Sequence, residues 1–149
     1  DPGFVAANVD AVLAGLGQVP DGSRIAFVTH SVPTAMNDTA GIEGGRYENQ
    51  HRDVAATVAA AVGRRIGTKP EWDLVYCSRS GPPNQPWLEP DVNDHVRDLK
   101  DQGVPGVVVA PVGFISDHME VAYDLDTEAR ETARAIGLPF VRARGLGLG

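Results

Sequence analysis

The sequence has few of the residues that build disulfides or cysteine-based metal sites. Cys77 is the only cysteine among its 149 residues, which excludes an internal disulfide and a cage of cysteine ligands around a metal. A reducing, cytoplasmic location is compatible with that count. Basic residues are also scarce, with 13 Lys and Arg against 20 Asp and Glu and a net charge of −7. Because nucleic-acid affinity depends on clustered cations, this balance argues against a nucleic-acid partner.

Several recognisable segments are missing as well. No apolar run reaches the roughly 18 residues that span a membrane, and we expect neither a transmembrane segment nor a secretory signal. No G-x-G-x-x-G follows the first predicted strand, and no G-x-S-x-G nucleophile turn occurs. Dinucleotide binding and the hydrolase chemistry of that turn are therefore poorly supported.

Hydrophobic periodicity predicts that helices alternate with strands. Residues 4–16 place apolar side chains on one helical face, and residues 48–66 place valines four positions apart. The run VVVAP is apolar without alternation, as expected for a strand buried on both faces. The predicted helices cover 4–16, 48–66, 91–102 and 117–136, and the predicted strands cover 24–29, 73–77, 106–111 and 139–143. This order predicts an α/β fold, a three-layer αβα sandwich with a four-stranded parallel sheet.

Polar residues are concentrated in the loops that follow the first three strands. These loops read THSVPTAMND, SRSGPPNQPWLEPD and VGFISDHMEV. In parallel sheets of this kind, ligands bind beyond the carboxyl ends of the strands. We therefore expect the three loops to converge at one edge and to form the functional site, whereas the opposite edge carries ordinary turn residues.

Three residues of the first two loops are open to more than one interpretation. His30 ends the first strand, and its imidazole could either bond to the backbone or serve as a metal ligand or proton acceptor. Trp87 lies in a proline-rich loop and could form the wall of a flat pocket or simply anchor that loop. Cys77 is interpreted as a small buried side chain rather than as a nucleophile.

The third loop carries three titratable residues within four positions, namely Asp117, His118 and Glu120. Asp117 and His118 could orient one another, which leaves Glu120 as the candidate for direct chemistry. Asp124 and Glu128 follow Glu120 at steps of four and continue it as an acidic stripe on a helix. The stripe could be a solvated face, or it could conduct cations or protons to Glu120. A helical turn wider than that of an α-helix would align the stripe better, and such π segments are frequent at functional sites.

The motifs THSVP, SRSGPPNQPWLEPDV and PVGFISDHMEVAYDLDTEA together resemble the ferrochelatase family. The similarity extends from about residue 4 to residue 143, and it is closest to the actinobacterial coproporphyrin III ferrochelatases. The resemblance implies two similar Rossmann-like halves with a porphyrin cleft between them. It implies that residues 1–144 are the C-terminal, chelatase-like domain of a two-domain enzyme, with the N-terminal half as its partner. The Gly/Leu tail at 145–149 is expected to lie outside the fold.

The resemblance also implies a function and a role for each site residue. The reaction is insertion of Fe²⁺ into a porphyrin in heme biosynthesis, with coproporphyrin III preferred over protoporphyrin IX and Fe²⁺ as a substrate. His30 and Glu120 would face the pyrrole nitrogens as catalytic residues, binding the metal and accepting protons. The remaining roles are Trp87, Phe114 and Ser31 in the porphyrin pocket, Asp117 and His118 as supporting groups, and Asp124 and Glu128 as an acidic ridge.

One property of many family members has no counterpart in these residues. Actinobacterial and animal ferrochelatases often carry a [2Fe–2S] cluster held by four cysteines outside this domain. Cys77 does not lie in a cluster motif. A cluster is therefore possible in the full-length protein, but this chain has no ligands for it.

Three other functions compete with iron insertion. A cobalt chelatase of cobalamin synthesis would share the architecture and the histidine–glutamate pair, although it would not be expected to match the SRSGPP and PWLEPD motifs. A non-catalytic tetrapyrrole- or metal-binding module would bind without turnover. An α/β domain with unrelated polar loops would not explain why three loops carry such residues at one edge.

Overall fold

The computed structural model describes residues 2–30, 34–39, 44–77, 86, 88–112 and 124–143. In chain order its elements are α1 (Pro2–Leu16), β1 (Arg24–His30), α2 (Thr34–Thr39), α3 (Arg46–Ile66), β2 (Trp72–Cys77), α4 (Val92–Asp101), β3 (Val107–Pro111), a π-helix (Asp124–Ala129), α5 (Arg130–Ile136) and β4 (Phe140–Arg142). The helices and strands predicted within these ranges are all present. The part of the last predicted helix that precedes residue 124 lies outside the described residues.

The four strands form one parallel sheet in the order β2-β1-β3-β4. β1 is central: His30 pairs with Cys77 of β2, and Val28 pairs with Pro111 of β3. Each connection between parallel strands carries a helix, which is the arrangement that such crossovers require. The predicted α/β fold with a parallel sheet is confirmed.

Two hydrophobic cores cover the two faces of this sheet, because successive side chains of a strand point to opposite faces. Beneath α1 and α3 the core includes Val12, Phe27, Val58, Val62 and Val108. Beneath α4, the π-helix and α5 it includes Val28, Val75, Leu99, Val109 and Leu125. The three-layer arrangement follows from this alternation. Within the described ranges, no helix combines the length and the apolar character of a membrane span.

Local signals fix the ends of the two helices that flank β2. The Asp91 carboxylate accepts a 2.9 Å hydrogen bond from the amide of Asn93 and so caps α4, as the sequence predicted for this residue. Gly67 ends α3 with a positive φ of 80° and donates its amide to the Gly63 carbonyl at 2.8 Å. Gly67 thus ends α3 shortly before Trp72, and Asp91 fixes the residue at which α4 begins.

The structure corrects the prediction for the segment that follows β1. The whole stretch THSVPTAMND was interpreted as a loop, but residues 34–39 form the short helix α2. Asn37 of α2 is buried, and its backbone carbonyl accepts a 2.7 Å hydrogen bond from Gly45 at the start of α3. Such tertiary contacts stabilise a short helix whose own sequence pattern is weak.

A polar cluster stabilises the sheet near the amino ends of β1 and β2. Arg24 Nη2 lies 2.9 Å from Asp73 Oδ2, and His95 Nε2 of α4 lies 3.3 Å from the same oxygen. The contact with His95 lowers the pKa of the Asp73 carboxyl group below its ordinary value, and Arg24 acts in the same direction against the opposing effect of burial. This cluster is structural and lies away from the carboxyl ends of the strands.

Candidate active site

The carboxyl ends of β1, β2 and β3 lie side by side in the sheet. His30 is the last residue of β1 and is the register partner of Cys77, the last residue of β2. The amide of Val112, directly after β3, donates a 2.8 Å hydrogen bond to the Val28 carbonyl of β1. The three polar segments therefore start from adjacent points of one edge, as the sequence predicted.

Backbone hydrogen bonds join the segments after β1 and β2. The Thr34 amide at the start of α2 donates to the Pro86 carbonyl at 2.9 Å, and the Tyr76 amide donates to the Pro90 carbonyl at 2.9 Å. Tyr76 and Asp91 also form an isolated parallel bridge. Because these bonds connect backbone to backbone, they hold the entry of α2 and the entry of α4 at the same edge of the sheet.

The start of α3 contributes a carboxylate and a phenol that the sequence interpretation missed. The Tyr76 hydroxyl donates to Glu48 Oε2 at 3.0 Å, and the Glu48 amide donates to Asn37 Oδ1 at 3.0 Å. Tyr76 is 1% exposed, while Glu48 is half-buried. A tyrosine near the end of a buried strand is the signal that could have been used, because a buried phenol needs a hydrogen-bond partner.

The second and third residues of the predicted acidic stripe lie on the kind of helix that the sequence suggested. Asp124–Ala129 is a π-helix, which continues directly into α5. Asp124 and Glu128 both lie in this segment, and the Glu128 side chain is exposed. The buried Leu125 and Ala129 anchor the opposite side of the π-helix in the core beneath α4. This anchoring leaves Glu128 in contact with solvent.

Most of the predicted site residues lie outside the described residues. This holds for Ser31, Trp87, Phe114, Asp117, His118 and Glu120. For His30 and Asp124 the structure gives the backbone position, and their roles, like those of the others, stay predictions. Cys77 is buried at 1% exposure, which confirms its interpretation as a small buried side chain. Within the described ranges, no three His, Cys, Asp or Glu residues are grouped as metal ligands.

The comparison with protein families gives a match over nearly the whole chain. The family model described as Ferrochelatase matches residues 1–148. The chain belongs to the ferrochelatase family. All the motifs that carried the resemblance, including both ends of the SDHME segment at 116–120, fall inside the matched range of this ferrochelatase domain.

Curated relatives of the ferrochelatase domain extend beyond it. The coproporphyrin III ferrochelatase of Streptomyces coelicolor is 51% identical, and that of Streptomyces griseus is 52% identical, each over 155 residues. The coproporphyrin III ferrochelatase of Frankia alni is 47% identical over 150 residues. The two Streptomyces matches cover 98% of this chain but 41% of each relative. The chain therefore spans about two fifths of the length of the curated relatives it matches.

A solved structure with a similar fold supports the architecture of the ferrochelatase domain. The crystal structure of a protein described as a cobalamin (vitamin B12) biosynthesis CbiX protein, from Marinobacter aquaeolei VT8, superposes with a TM-score of 0.54. It covers 85% of this chain and 84% of that chain at 16% identity. At this identity the likeness concerns the chelatase-like fold alone.

Proposed function

We propose that the full-length protein carrying this ferrochelatase domain is a lyase that inserts Fe²⁺ into coproporphyrin III during heme biosynthesis. The supporting observation is the identity of 51% and 52% with two relatives that are named for coproporphyrin III. Protoporphyrin IX is the less favoured substrate. A cytoplasmic location is part of the proposal, since coproporphyrin is a tetracarboxylate that needs no membrane to stay dissolved.

The domain organisation is part of the same proposal. Residues 1–144 are the C-terminal chelatase-like domain of a two-domain enzyme, and residues 145–149 lie outside its fold. The share of 41% of each Streptomyces relative supports a second domain of similar size. The porphyrin then binds in a cleft between the N-terminal half and the carboxyl edge of the sheet described above. That edge is the position at which parallel α/β sheets bind ligands.

His30 and Glu120 are the proposed metal ligands and proton acceptors. Imidazole nitrogen and carboxylate oxygen both suit Fe²⁺. His30 ends β1, and residue 120 lies in the segment that leaves β3 beside it, between Val112 and Asp124. Because Glu120 precedes Asp124 by four residues, their Cα atoms lie within about 14 Å of each other.

The reaction requires no change in oxidation state. Four Fe–N bonds form as two pyrrole N–H bonds break, and the two protons leave to bases at the site while iron stays ferrous. In this proposal His30 and Glu120 would accept these protons as general bases. Trp87, Phe114 and Ser31 would line the macrocycle and could hold it buckled, so that the nitrogen lone pairs are exposed. Asp117 and His118 would orient one another beside Glu120.

In this proposal the π-helix carries the outer part of the acidic ridge, Asp124 and Glu128. Glu128 is exposed, and Asp124 precedes it by one wide helical turn toward Glu120. Carboxylates near a cation stay ionised, so the ridge would attract Fe²⁺ and accept released protons. Glu128 would then be the solvent end of a cation-conducting ridge, and a merely solvated face is the competing interpretation of the same exposure.

A [2Fe–2S] cluster does not fit the residues of this chain. Such clusters need several cysteine thiolates as ligands, whereas this sequence has the single cysteine Cys77, which is buried. Any cluster of the full-length protein therefore takes its ligands from elsewhere, and no step of the proposed reaction depends on it.

The central experiment follows metal insertion by the full-length protein under anaerobic conditions. Fe²⁺ is mixed with coproporphyrin III or protoporphyrin IX, and metallation is measured from the absorption spectrum. We expect turnover with Fe²⁺ and faster turnover with coproporphyrin III. Tight porphyrin binding without turnover would instead indicate a non-catalytic binding module. A parallel series with Co²⁺ tests for a cobalt chelatase, which preferential insertion of Co²⁺ would indicate.

The role of His30 has its own test. His30→Ala in the full-length protein should abolish iron insertion while porphyrin binding persists. His51→Ala on α3 is the matched control, since it removes an imidazole outside the proposed ligand set. Iron insertion by His30→Ala at the wild-type rate would show that the proposed role is wrong.

A further inference from the structure

Tyr76 and Glu48 connect the central layer of the fold to the helix that follows the first polar segment. The Tyr76 ring is 1% exposed and belongs to the core beneath α1 and α3. Its hydroxyl donates to Glu48 Oε2 at 3.0 Å. Because a packed ring has little freedom, the hydroxyl is a fixed point near the carboxyl end of β2. The first turn of α3 is thereby held at a defined position on the sheet.

Further hydrogen bonds link Glu48 and the start of α3 to α2. The Glu48 amide donates to Asn37 Oδ1 at 3.0 Å, and Asn37 is 5% exposed. The Asn37 carbonyl accepts from the Gly45 amide at 2.7 Å. At its other end, α2 begins at Thr34, whose amide bonds to Pro86. The short helix α2 is therefore tied on one side to the segment after β2 and on the other to β2 itself through Glu48.

We propose that Tyr76 and Glu48 are positioning residues, which fix α2 at the edge of the proposed porphyrin site. This inference rests on the proposed function. A hydrogen bond from a phenol to a carboxylate is charge-assisted and stronger than a neutral one. The bond connects β2 to α3, and α3 is bonded in turn to α2 through the Glu48 amide and Asn37 Oδ1. Loss of the bond would let α2 shift relative to the sheet and would weaken porphyrin binding more than the chemical step.

The expected effects follow from what each substitution leaves in place. Tyr76→Phe keeps the buried ring and deletes the donor, and it should raise both the Kd and the KM for coproporphyrin III about 5- to 20-fold. The kcat should stay within about 2-fold of wild type, because the ligands of the metal are unchanged. Glu48→Leu should raise the Kd and the KM as much as Tyr76→Phe does. The double variant should bind coproporphyrin III no more weakly than either single variant, since both substitutions remove the same hydrogen bond.

Glu48→Gln is the conservative variant. Its amide oxygen can still accept from the phenol, so we expect binding within about 3-fold of wild type. Asp73→Asn is the control, because it disturbs a polar contact at the amino ends of the strands. That variant should lower stability while the porphyrin Kd stays unchanged.

The test uses the full-length protein, with metal-free coproporphyrin III as the probe for Kd and anaerobic Fe²⁺ insertion for KM and kcat. A rise in Kd and KM for Tyr76→Phe and Glu48→Leu, with recovery in Glu48→Gln, supports the proposal. If Tyr76→Phe does not fold, the comparison of Glu48→Leu with Glu48→Gln decides. Unchanged Kd and KM in Glu48→Leu, or a fall in kcat alone, would overturn it. Wild-type protein that binds no porphyrin would overturn the proposed function and this inference together, whereas active wild type with unaffected variants would overturn this inference alone.

Discussion

The Thr34 amide donates a 2.9 Å hydrogen bond to the Pro86 carbonyl, so the segments that follow the first two strands are joined directly. The Val112 amide makes the corresponding link from the end of β3 to Val28 of β1. Three segments that are distant in the sequence therefore start from one edge of the sheet, and backbone hydrogen bonds fix their starting points. This arrangement lets loop residues with different chemistry share a site, because the rigid sheet sets where each loop begins.

Gly15 of α1 is required by the close approach of this helix to the sheet. A Cβ atom at this position would lie 2.8 Å from Cγ1 of Val108, which is fully buried in β3. Gly15→Ala should therefore lower the free energy of unfolding by about 1–3 kcal/mol through overpacking, even though alanine favours a helix by about 1 kcal/mol. Urea unfolding followed by circular dichroism measures the change.

Gly17→Ala provides the control for that measurement. At Gly17 the nearest atom to a new Cβ would be the Ala14 carbonyl oxygen at 3.5 Å, which is an ordinary contact. Its free energy of unfolding should stay within about 0.5 kcal/mol of wild type. A Gly15→Ala variant as stable as Gly17→Ala would contradict the packing argument.

The regular elements were predictable because their signals are local. The uninterrupted apolar run at Val107–Val109 predicted a strand covered on both faces, and these residues are fully buried. The Asp91 cap was likewise readable from the sequence. The helix α2 was missed, since residues 34–39 have no periodic apolar pattern and depend on contacts such as that of Asn37 with α3.

The candidate site was predictable only in part, for a related reason. The position of His30 at the end of β1 followed from the short β-rich run before it. The partnership of Tyr76 with Glu48 did not, because the two residues meet only after α3 packs on the sheet. A π-helix at Asp124–Ala129 was suggested by the spacing of the acidic stripe, which an α-helix aligns poorly.

The Asp73 carboxylate should make the stability of the protein depend on pH in the acid range. Its folded-state pKa is lowered from 3.8, chiefly by His95, so its contribution is present above about pH 3.8 and is lost as pH falls through the lower folded value. Asp73→Asn should cost about 1–3 kcal/mol at pH 7. The difference between wild type and variant should shrink below about pH 3.8. Urea unfolding at a series of pH values measures both quantities.

Two results would contradict this account of Asp73. If the difference in free energy of unfolding between wild type and Asp73→Asn grew as the pH fell, it would have the wrong sign for a carboxyl group with a lowered pKa. An unchanged stability at pH 7 would show that the contacts with Arg24 and His95 are not stabilising. Glu71→Gln is the control, since Glu71 is exposed and lies 3.8 Å from Arg24 in a weak surface pair.

Thr29 presents a buried hydroxyl whose removal should not cost stability. It is 2% exposed, and its Oγ1 has no hydrogen-bond partner among the described residues. Thr29→Val replaces the hydroxyl by a methyl group of similar size and should raise the free energy of unfolding by up to about 1 kcal/mol. Thr29→Ser keeps the hydroxyl, removes the methyl and should lower it by about 1 kcal/mol. Thermal unfolding measures the stability of both variants. A Thr29→Val variant less stable than Thr29→Ser would indicate that the hydroxyl has a hydrogen-bond partner and would contradict the prediction.

Glu128→Gln tests whether the exposed end of the acidic ridge delivers the metal. The substitution removes one charge and keeps the shape of an exposed side chain on the π-helix. A carboxylate a few ångströms from a divalent cation contributes on the order of 1–2 kcal/mol in water, so the KM for Fe²⁺ should rise about 5- to 30-fold while the KM for coproporphyrin III stays unchanged. Glu131→Gln on α5 makes the same change of charge at an exposed residue that pairs with Arg134 at 3.6 Å. A specific role in metal delivery requires a larger effect at Glu128 than at Glu131, although the two residues are only three positions apart. If both variants raised the KM for Fe²⁺ equally, the effect would come from the net charge of the protein and the proposed role of the ridge would be wrong.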